Sequence, residues 1–242
     1  MYSFRAIVFL LILTLICSLA EAQVITKKRG KVKFKHPNGK IMAKGKVSNY
    51  KKQGVWKFWD DKGNFASEMT YRNDSAYGTF TEYHPDGKIS QTGNYTGNLK
   101  HGIWSTYSSE GVLVSQYSYF SNEFNGEQNT WYSNGNHREH LICEMGVLVY
   151  REAWYLSGEK KLVESYQNGV PHGRWAIYPD PAFTKDTFPA TVDNYFQGNK
   201  HGLHLAYLNG IKIEEYVYHD GQLDGQATKW NSSGQTEVVE LY

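Results

Sequence analysis

The chain has 242 residues, of which 21% are charged and 15% aromatic, and its formal net charge is +2 at pH 7. This length suits one large domain or two small ones. The near-neutral charge argues against nucleic acid as a partner, since no Lys/Arg-rich stretch occurs beyond KKRGKVKFK at 27–35. That stretch is interpreted as a solvated N-terminal strand.

The first 22 residues have the features of a secretory signal peptide. Arg5 precedes an apolar run at 7–16, and Ala20 and Ala22 supply the small residues of a cleavage site. The apolar run is shorter than a transmembrane helix requires, and no later segment is apolar enough to span a bilayer. We therefore expect an exported mature protein that starts at Gln23 and is periplasmic, associated with the outer envelope or secreted.

The rest of the chain repeats one pattern about every 24 residues, and such a period is typical of a repeat array. A short segment at 23–29 precedes the array, which spans 30–242. The nine repeats begin at Gly30, Gly54, Gly78, Gly102, Gly126, Val149, Gly173, Gly202 and Gly225.

Aromatic residues recur at fixed distances from the residue that opens each repeat. Position +17 holds mostly tyrosine, and a weaker column at +2 holds Trp56, Phe80, Trp104 and Trp175. The first repeat has Lys35 at position +5, which suits a terminal cap. The repeat-defining aromatics, at position +5 of the other eight repeats, are Trp59, Tyr83, Tyr107, Trp131, Trp154, Tyr178, Tyr207 and Trp230.

Each repeat predicts two short strands and two turns. The turn after the first strand is rich in Asp, Asn, Ser and Gly, as in HPNG, DDKG and SSEG, and glycine supplies the positive φ that such turns need. The second strand has β-branched and aromatic residues without a helical apolar stripe. We predict an all-β fold, a single-layer antiparallel β-meander of about nine hairpin repeats, twisted and elongated.

The phrase Y-x-N-G-x-x-H-G-x-W-x-x-Y resembles the variant MORN repeat. It is clearest from Tyr166 to Trp175 and again at 98–111, and the resemblance covers nearly the whole mature chain. It implies a grooved single-layer sheet that acts as a binding or scaffold module, sometimes suggested to contact lipid. Such arrays are common in exported bacterial proteins, and some are grouped as antitoxin components of toxin–antitoxin pairs.

The aromatic columns have two interpretations. A thin sheet has few other ways to bury apolar surface, so most rings are expected to form the core, and Tyr107→Ala would then cost on the order of 3–5 kcal/mol. Alternatively, some rows line a groove that stacks on sugar rings or extended peptide.

The repeat that opens at Gly173 contains an insertion at 179–193. Its three prolines cannot donate to a strand ladder, so the segment is expected to leave the sheet as a loop. Loops that interrupt a regular scaffold often carry recognition; alternatively, both phenylalanines fold back onto the sheet. The candidate partner contacts in this loop are Phe183, Lys185, Asp186 and Phe188.

Two groups of residues invite a chemical interpretation. His137, His140 and Cys143 are of the types that bind zinc, but strand residues three apart point to opposite faces, so the two histidines are expected to diverge. Cys143 occupies the +17 column and is interpreted as a buried thiol. The second group consists of three histidines that each precede an opening glycine and could titrate together as a row: His101, His172 and His201. Other repeats place different polar residues at this position.

No sequence motif for a nucleophile, a phosphate loop or a metalloprotease is present. We predict no catalytic residue, cofactor or metal. The expected function is that of an exported, non-catalytic scaffold that binds another macromolecule, either a protein or an envelope component. The alternatives are a structural or membrane-peripheral envelope component and, third, an antitoxin-like binder or a glycan-active protein.

Overall fold

A computed structural model describes residues 25–242, which form one open sheet of 21 antiparallel strands. The all-β prediction is therefore confirmed. No helix occurs in this range, so none there is long and apolar enough to cross a membrane. The expected signal peptide and the start at Gln23 lie outside the described residues.

The strands follow one another across the sheet as a meander, because each long strand pairs with the next long strand in the chain. The strands are β1 Arg29–Lys35, β2 Ile41–Ser48, β3 Lys51–Trp59, β4 Phe65–Arg72, β5 Ser75–Tyr83, β6 Ile89–Thr96, β7 Leu99–Tyr107, β8 Leu113–Phe120, β9 Glu123–Trp131, β10 His137–Glu144, β11 Val147–Trp154, β12 Lys160–Gln167, β13 Val170–Pro171, β14 Gly173–Ile177, β15 Thr191–Phe196, β16 Asn199–Lys200, β17 Gly202–Leu208, β18 Ile211–His219, β19 Gln222–Leu223, β20 Gln226–Trp230 and β21 Thr236–Leu241.

In every repeat except the one with the insertion, the first turn has a glycine at positive φ, as predicted. In the first repeat, Gly39 has φ 83° and donates its N–H to the carbonyl of His36 at 2.9 Å. Adjacent first turns also bond to each other, since the His36 ring contacts the Trp59 carbonyl through Nε2 at 2.9 Å. The turns at one end of the strands therefore form a hydrogen-bonded stack, which we call the turn edge.

The second turn is a two-residue connection with both residues at positive φ, as type I′ hairpins require. Asn73 and Asp74, for example, have φ values of 52° and 68°. The Asp74 carboxylate accepts a hydrogen bond from the Lys52 N–H at 2.6 Å. This bond ties the start of β3 to the turn that follows β4.

The glycines that open the second to fifth repeats lie inside strands, at bulges that the sequence pattern does not reveal. In β7, Gly102 has φ 70°. His101 pairs with Asn94, and Ser105 pairs with Thr92, so three residues of β7 lie opposite one residue of β6. Only glycine adopts this conformation without strain, which explains why the position recurs.

Strand alternation divides the side chains between two faces. We call the face that carries positions +2 and +17 the buried face, because most of the fully buried side chains lie there, including Trp56, Trp104, Cys143 and His204. We call the opposite face, which carries positions +5 and +11, the ladder face.

Tryptophans of the buried face lie flat on glycines of the preceding repeat. Trp104 is 2% exposed, and a Cβ added to Gly93 would lie 2.2 Å from its ring. The indole N–H donates to the Asn94 carbonyl at 3.1 Å. Trp56 has the same relation to Gly45. The weaker +2 column of the sequence is therefore the core of the first four repeats.

The +5 aromatics are half-buried rather than core. Six of the eight pair with the +11 residue of their own repeat. Ring contacts continue along the row, since Phe65 lies 5.4 Å from Trp59 and 4.8 Å from Tyr83. No second layer of the described chain covers this face. The expectation that most of these rings are core is thus wrong for the +5 row.

Tyr107→Ala should consequently lower the free energy of unfolding by about 1–2 kcal/mol, below the range for a buried ring, because the Tyr107 ring is only partly buried. Urea titration of the variant and the parent measures this difference in the free energy of unfolding. A loss as large as that of Trp104→Ala would show that the +5 row is core after all.

Candidate functional site

The insertion forms a loop on the turn edge, in the place of the first turn of its repeat. It leaves the sheet after Ile177 and returns at Thr191, where β15 begins. The Ala190 N–H donates to the Ile177 carbonyl at 2.7 Å and closes the loop. Residues 191–193, which the proline pattern assigned to the insertion, belong to β15, and Asp193 pairs with Trp175.

Both phenylalanines of the loop are exposed. Phe183 is 89% exposed and Phe188 is 64% exposed, so neither ring is packed away on the sheet. Lys185 is exposed and Asp186 half-buried. The alternative in which both rings fold back onto the sheet is therefore wrong, and the four candidate residues lie together on one protruding loop.

The loop separates two pockets at the turn edge. One, of about 120 Å³, is lined by Phe188 and Pro189 from the loop and by Leu208 from the next repeat. The other, of about 630 Å³, lies on the opposite side, between Pro181 and Leu156. Leu156 and Leu208 are themselves 57% and 50% exposed. Together with the two phenylalanines, they form an apolar surface across three neighbouring turns, which we call the insertion surface.

Carboxylates border the insertion surface. Glu159 and Asp180 line the larger pocket, and Asp186 lines the smaller. The Asp180 side chain accepts the Ala182 N–H at 2.9 Å, which fixes the first turn of the loop. The surface therefore presents apolar groups within an acidic border, and Lys185 is the cation of the loop.

The buried face changes character after the fourth repeat. Where earlier repeats place aromatic rings at +2, the repeat that opens at Val149 has Arg151, which forms ion pairs with Glu139 at 2.8 Å and Glu164 at 3.3 Å. In the preceding repeat, Gln128 occupies position +2. Its side-chain amide accepts a hydrogen bond from the Ser118 N–H and donates one to the Ser118 carbonyl. Polar networks thus replace ring packing in this part of the sheet.

A second network surrounds His204, which is 8% exposed. Its Nδ1 lies 2.7 Å from the Asp193 carboxylate, which also contacts the Lys200 ammonium at 2.7 Å. Its Nε2 lies 3.7 Å from Glu214, and its ring stacks on Tyr216. These groups satisfy one another, so the network is structural in character.

Burial alone would raise the pKa of the Asp193 carboxyl, but the hydrogen bonds from His204 and Lys200 outweigh it and hold that pKa below its usual value. The repeat pattern held a signal for this network that a search for motifs does not reveal. A histidine and an arginine stand at position +2, where four other repeats have aromatic rings.

The three histidines before opening glycines do not form one row. Phe196 lies between His172 and His201, at ring distances of 5.3 and 5.6 Å. His219 continues this row at 4.9 Å from His201. His101 is in β7, several strands away.

The prediction that His137 and His140 point to opposite faces of the sheet is wrong. A bulge between His137 and Glu139 places both histidines on the ladder face. They still contact different neighbours, since the His140 ring packs on Tyr150 at 6.1 Å. Cys143 is buried on the opposite face, where burial raises the pKa of its thiol. Within residues 25–242, no three His, Cys, Asp or Glu side chains are placed to hold a metal ion.

The family model described as MORN repeat variant matches the chain at residues 28–49, 52–73, 76–96 and 100–121. Each match covers one hairpin, from β1–β2 to β7–β8. No curated protein matches the chain significantly. The hairpins from β9 onward continue the same antiparallel pairing. The chain therefore matches the variant MORN repeat at four consecutive hairpins across residues 28–121.

Proposed function

We propose that the protein is an exported, non-catalytic scaffold and that its insertion surface binds another protein. The observation that carries this proposal is the exposure of Phe183 and Phe188 on a loop that interrupts an otherwise regular array. Exposed aromatic rings cost solubility unless a partner covers them. Large rings beside pockets are also the groups that dominate binding energy at protein interfaces.

The chemistry of the insertion surface indicates the kind of partner. Its apolar centre requires apolar side chains opposite the two rings, and its border of Glu159, Asp180 and Asp186 favours basic side chains around them. Membership of a MORN-type array supports a scaffold role in general, whereas fold alone does not identify the partner.

The test is a pair of point substitutions, Phe183→Ser and Phe188→Ser, combined in one variant. Because both rings are exposed, this variant should keep the parental melting temperature, and it should lose capture of a discrete protein from the exported fraction. A complex rebuilt from the two purified proteins should weaken by at least about tenfold. The control variant is Val55→Thr with Ile103→Thr, which removes two exposed apolar side chains elsewhere.

Replacement of 181–189 by a short Gly/Asn turn extends the test to the whole loop. Unchanged capture together with a lowered melting temperature would show that the loop serves packing and would overturn the proposal. Turnover of a glycan in a panel of polysaccharides would contradict the absence of catalysis. A protein that sediments only with the envelope, without a discrete partner, would favour the structural alternative.

A further inference from the structure

The first three strands assemble a lysine-rich surface on the ladder face, far from the insertion. The sequence shows only the lysines of β1 as a run, but pairing brings those of β2 and β3 beside them. All six side chains are exposed. We call this surface the lysine face, and it consists of Lys31, Lys33, Lys35, Lys44, Lys46 and Lys57.

Several of these lysines lie directly opposite one another. Lys33 pairs with Lys44, which in turn pairs with Lys57 on its other side, and Lys31 pairs with Lys46. Like charges in opposite positions destabilise a sheet. One carboxylate of the ladder face, Glu68, forms an ion pair with Lys57 at 3.3 Å.

The fold does not require lysine at these positions. In the equivalent pair between β6 and β7, Thr92 lies opposite Ser105, and this junction has the same bulge and the same buried tryptophan. A cluster of opposed lysines that the repeat does not need, and that weakens the sheet, indicates a role in binding an anion.

The overall charge of +2 conceals this asymmetry. Residues 25–75 contain 14 Lys and Arg and 4 Asp and Glu, a formal charge of +10. Residues 122–242 contain 9 Lys and Arg and 16 Asp and Glu, a formal charge of −7. The array is therefore basic at its N-terminal end and acidic toward its C-terminal end, which orients an approaching polyanion toward the first strands.

An aromatic ring borders the lysine face. Trp59 is half-buried in the +5 row, and the Lys44 ammonium lies 4.8 Å from the centre of its ring. Phe65 continues the row at 5.4 Å. Aromatic faces pack against the apolar faces of sugar rings, while nearby ammonium groups neutralise acidic substituents.

From this juxtaposition we propose that the lysine face binds an acidic polysaccharide, with lysines on its acidic groups and Trp59 against a sugar ring. Lysine suits this ligand because an ammonium is a point charge that accepts varied geometry, whereas defined phosphate contacts favour arginine. On this face of β1 to β3, Val55 is the one exposed large apolar side chain, which is too little apolar surface to anchor the protein in a bilayer.

The experiment titrates the protein with polygalacturonate, with neutral dextran as the matched polymer. The parent should bind polygalacturonate, more weakly as salt rises, and should not bind dextran. The triple variant Lys33→Gln, Lys44→Gln, Lys57→Gln should lose at least about tenfold in affinity. Its midpoint of urea unfolding should stay the same or rise, because the variant removes repulsion.

The control triple variant Lys161→Gln, Lys185→Gln, Lys229→Gln, whose lysines are exposed and lie outside the basic end, changes the net charge equally and should bind like the parent. Trp59→Leu should weaken binding while leaving its salt dependence unchanged. Equal binding by both triple variants would overturn the proposal, as would binding to phosphatidylglycerol vesicles or duplex DNA without binding to polygalacturonate. Neither result bears on protein capture by the insertion surface, which is tested separately.

Discussion

Gly93→Ala should destabilise the first four repeats by about 3 kcal/mol, at the upper end of what overpacking of a core costs. The added Cβ would lie 2.2 Å from the Trp104 ring, far inside van der Waals contact. The ring cannot easily shift, because it is buried, lies 5.6 Å from the Phe80 ring and donates its N–H to the Asn94 carbonyl. The free energy of unfolding from urea titration measures the effect.

A double-mutant cycle with Trp104→Ala isolates the contact. Trp104→Ala alone should cost about 3–5 kcal/mol. In the double variant, the methyl group added at position 93 no longer meets a ring, so the combined loss should fall short of the sum of the single losses by at least about 1 kcal/mol. Gly45→Ala against Trp56 is an independent repeat of the experiment. Strict additivity at both positions would show that the rings do not depend on these glycines.

The local chemistry of the repeat made the fold predictable. Gly39 and its equivalents need positive φ in first turns, the Asn- and Gly-rich second turns need it at two residues, and alternation fixes the strands between them. These requirements act within a few residues, so the period and the meander follow from the sequence. The same locality makes bulges hard to predict, as His137 and His140 show.

The depth of burial could not be predicted in this way. The +5 aromatics recur more regularly than any others, but which face becomes the core depends on close approach between neighbouring repeats. That approach appears only when Trp104 is placed over Gly93, a residue of another repeat. The exposure of Phe183 was likewise undecided, because a loop rich in proline either packs or protrudes. The lysine face was hidden because its members come from three strands.

Asp193→Ala should destabilise the C-terminal repeats by about 2–3 kcal/mol at pH 7, because it leaves two donors without their acceptor. His204 Nδ1 and the Lys200 ammonium each lie 2.7 Å from the same carboxylate oxygen. Asp193 and His204 are also largely shielded from solvent. Asp220→Ala provides the matched control, since that carboxylate is exposed and its contact with His201 is expected to contribute at most about 1 kcal/mol.

The effect of Asp193→Ala should disappear in acid. The pKa of Asp193 in the folded protein lies below its usual value of 3.8, so its stabilisation is fully present above that value and is lost as pH falls through the folded pKa. Parent and variant should therefore differ by the full amount at pH 7 and pH 5 and converge below pH 3.8. Urea titrations across this range measure the convergence. A difference that stayed constant into acid would mean that the Asp193 side chain acts through packing and that its charge contributes nothing to stability.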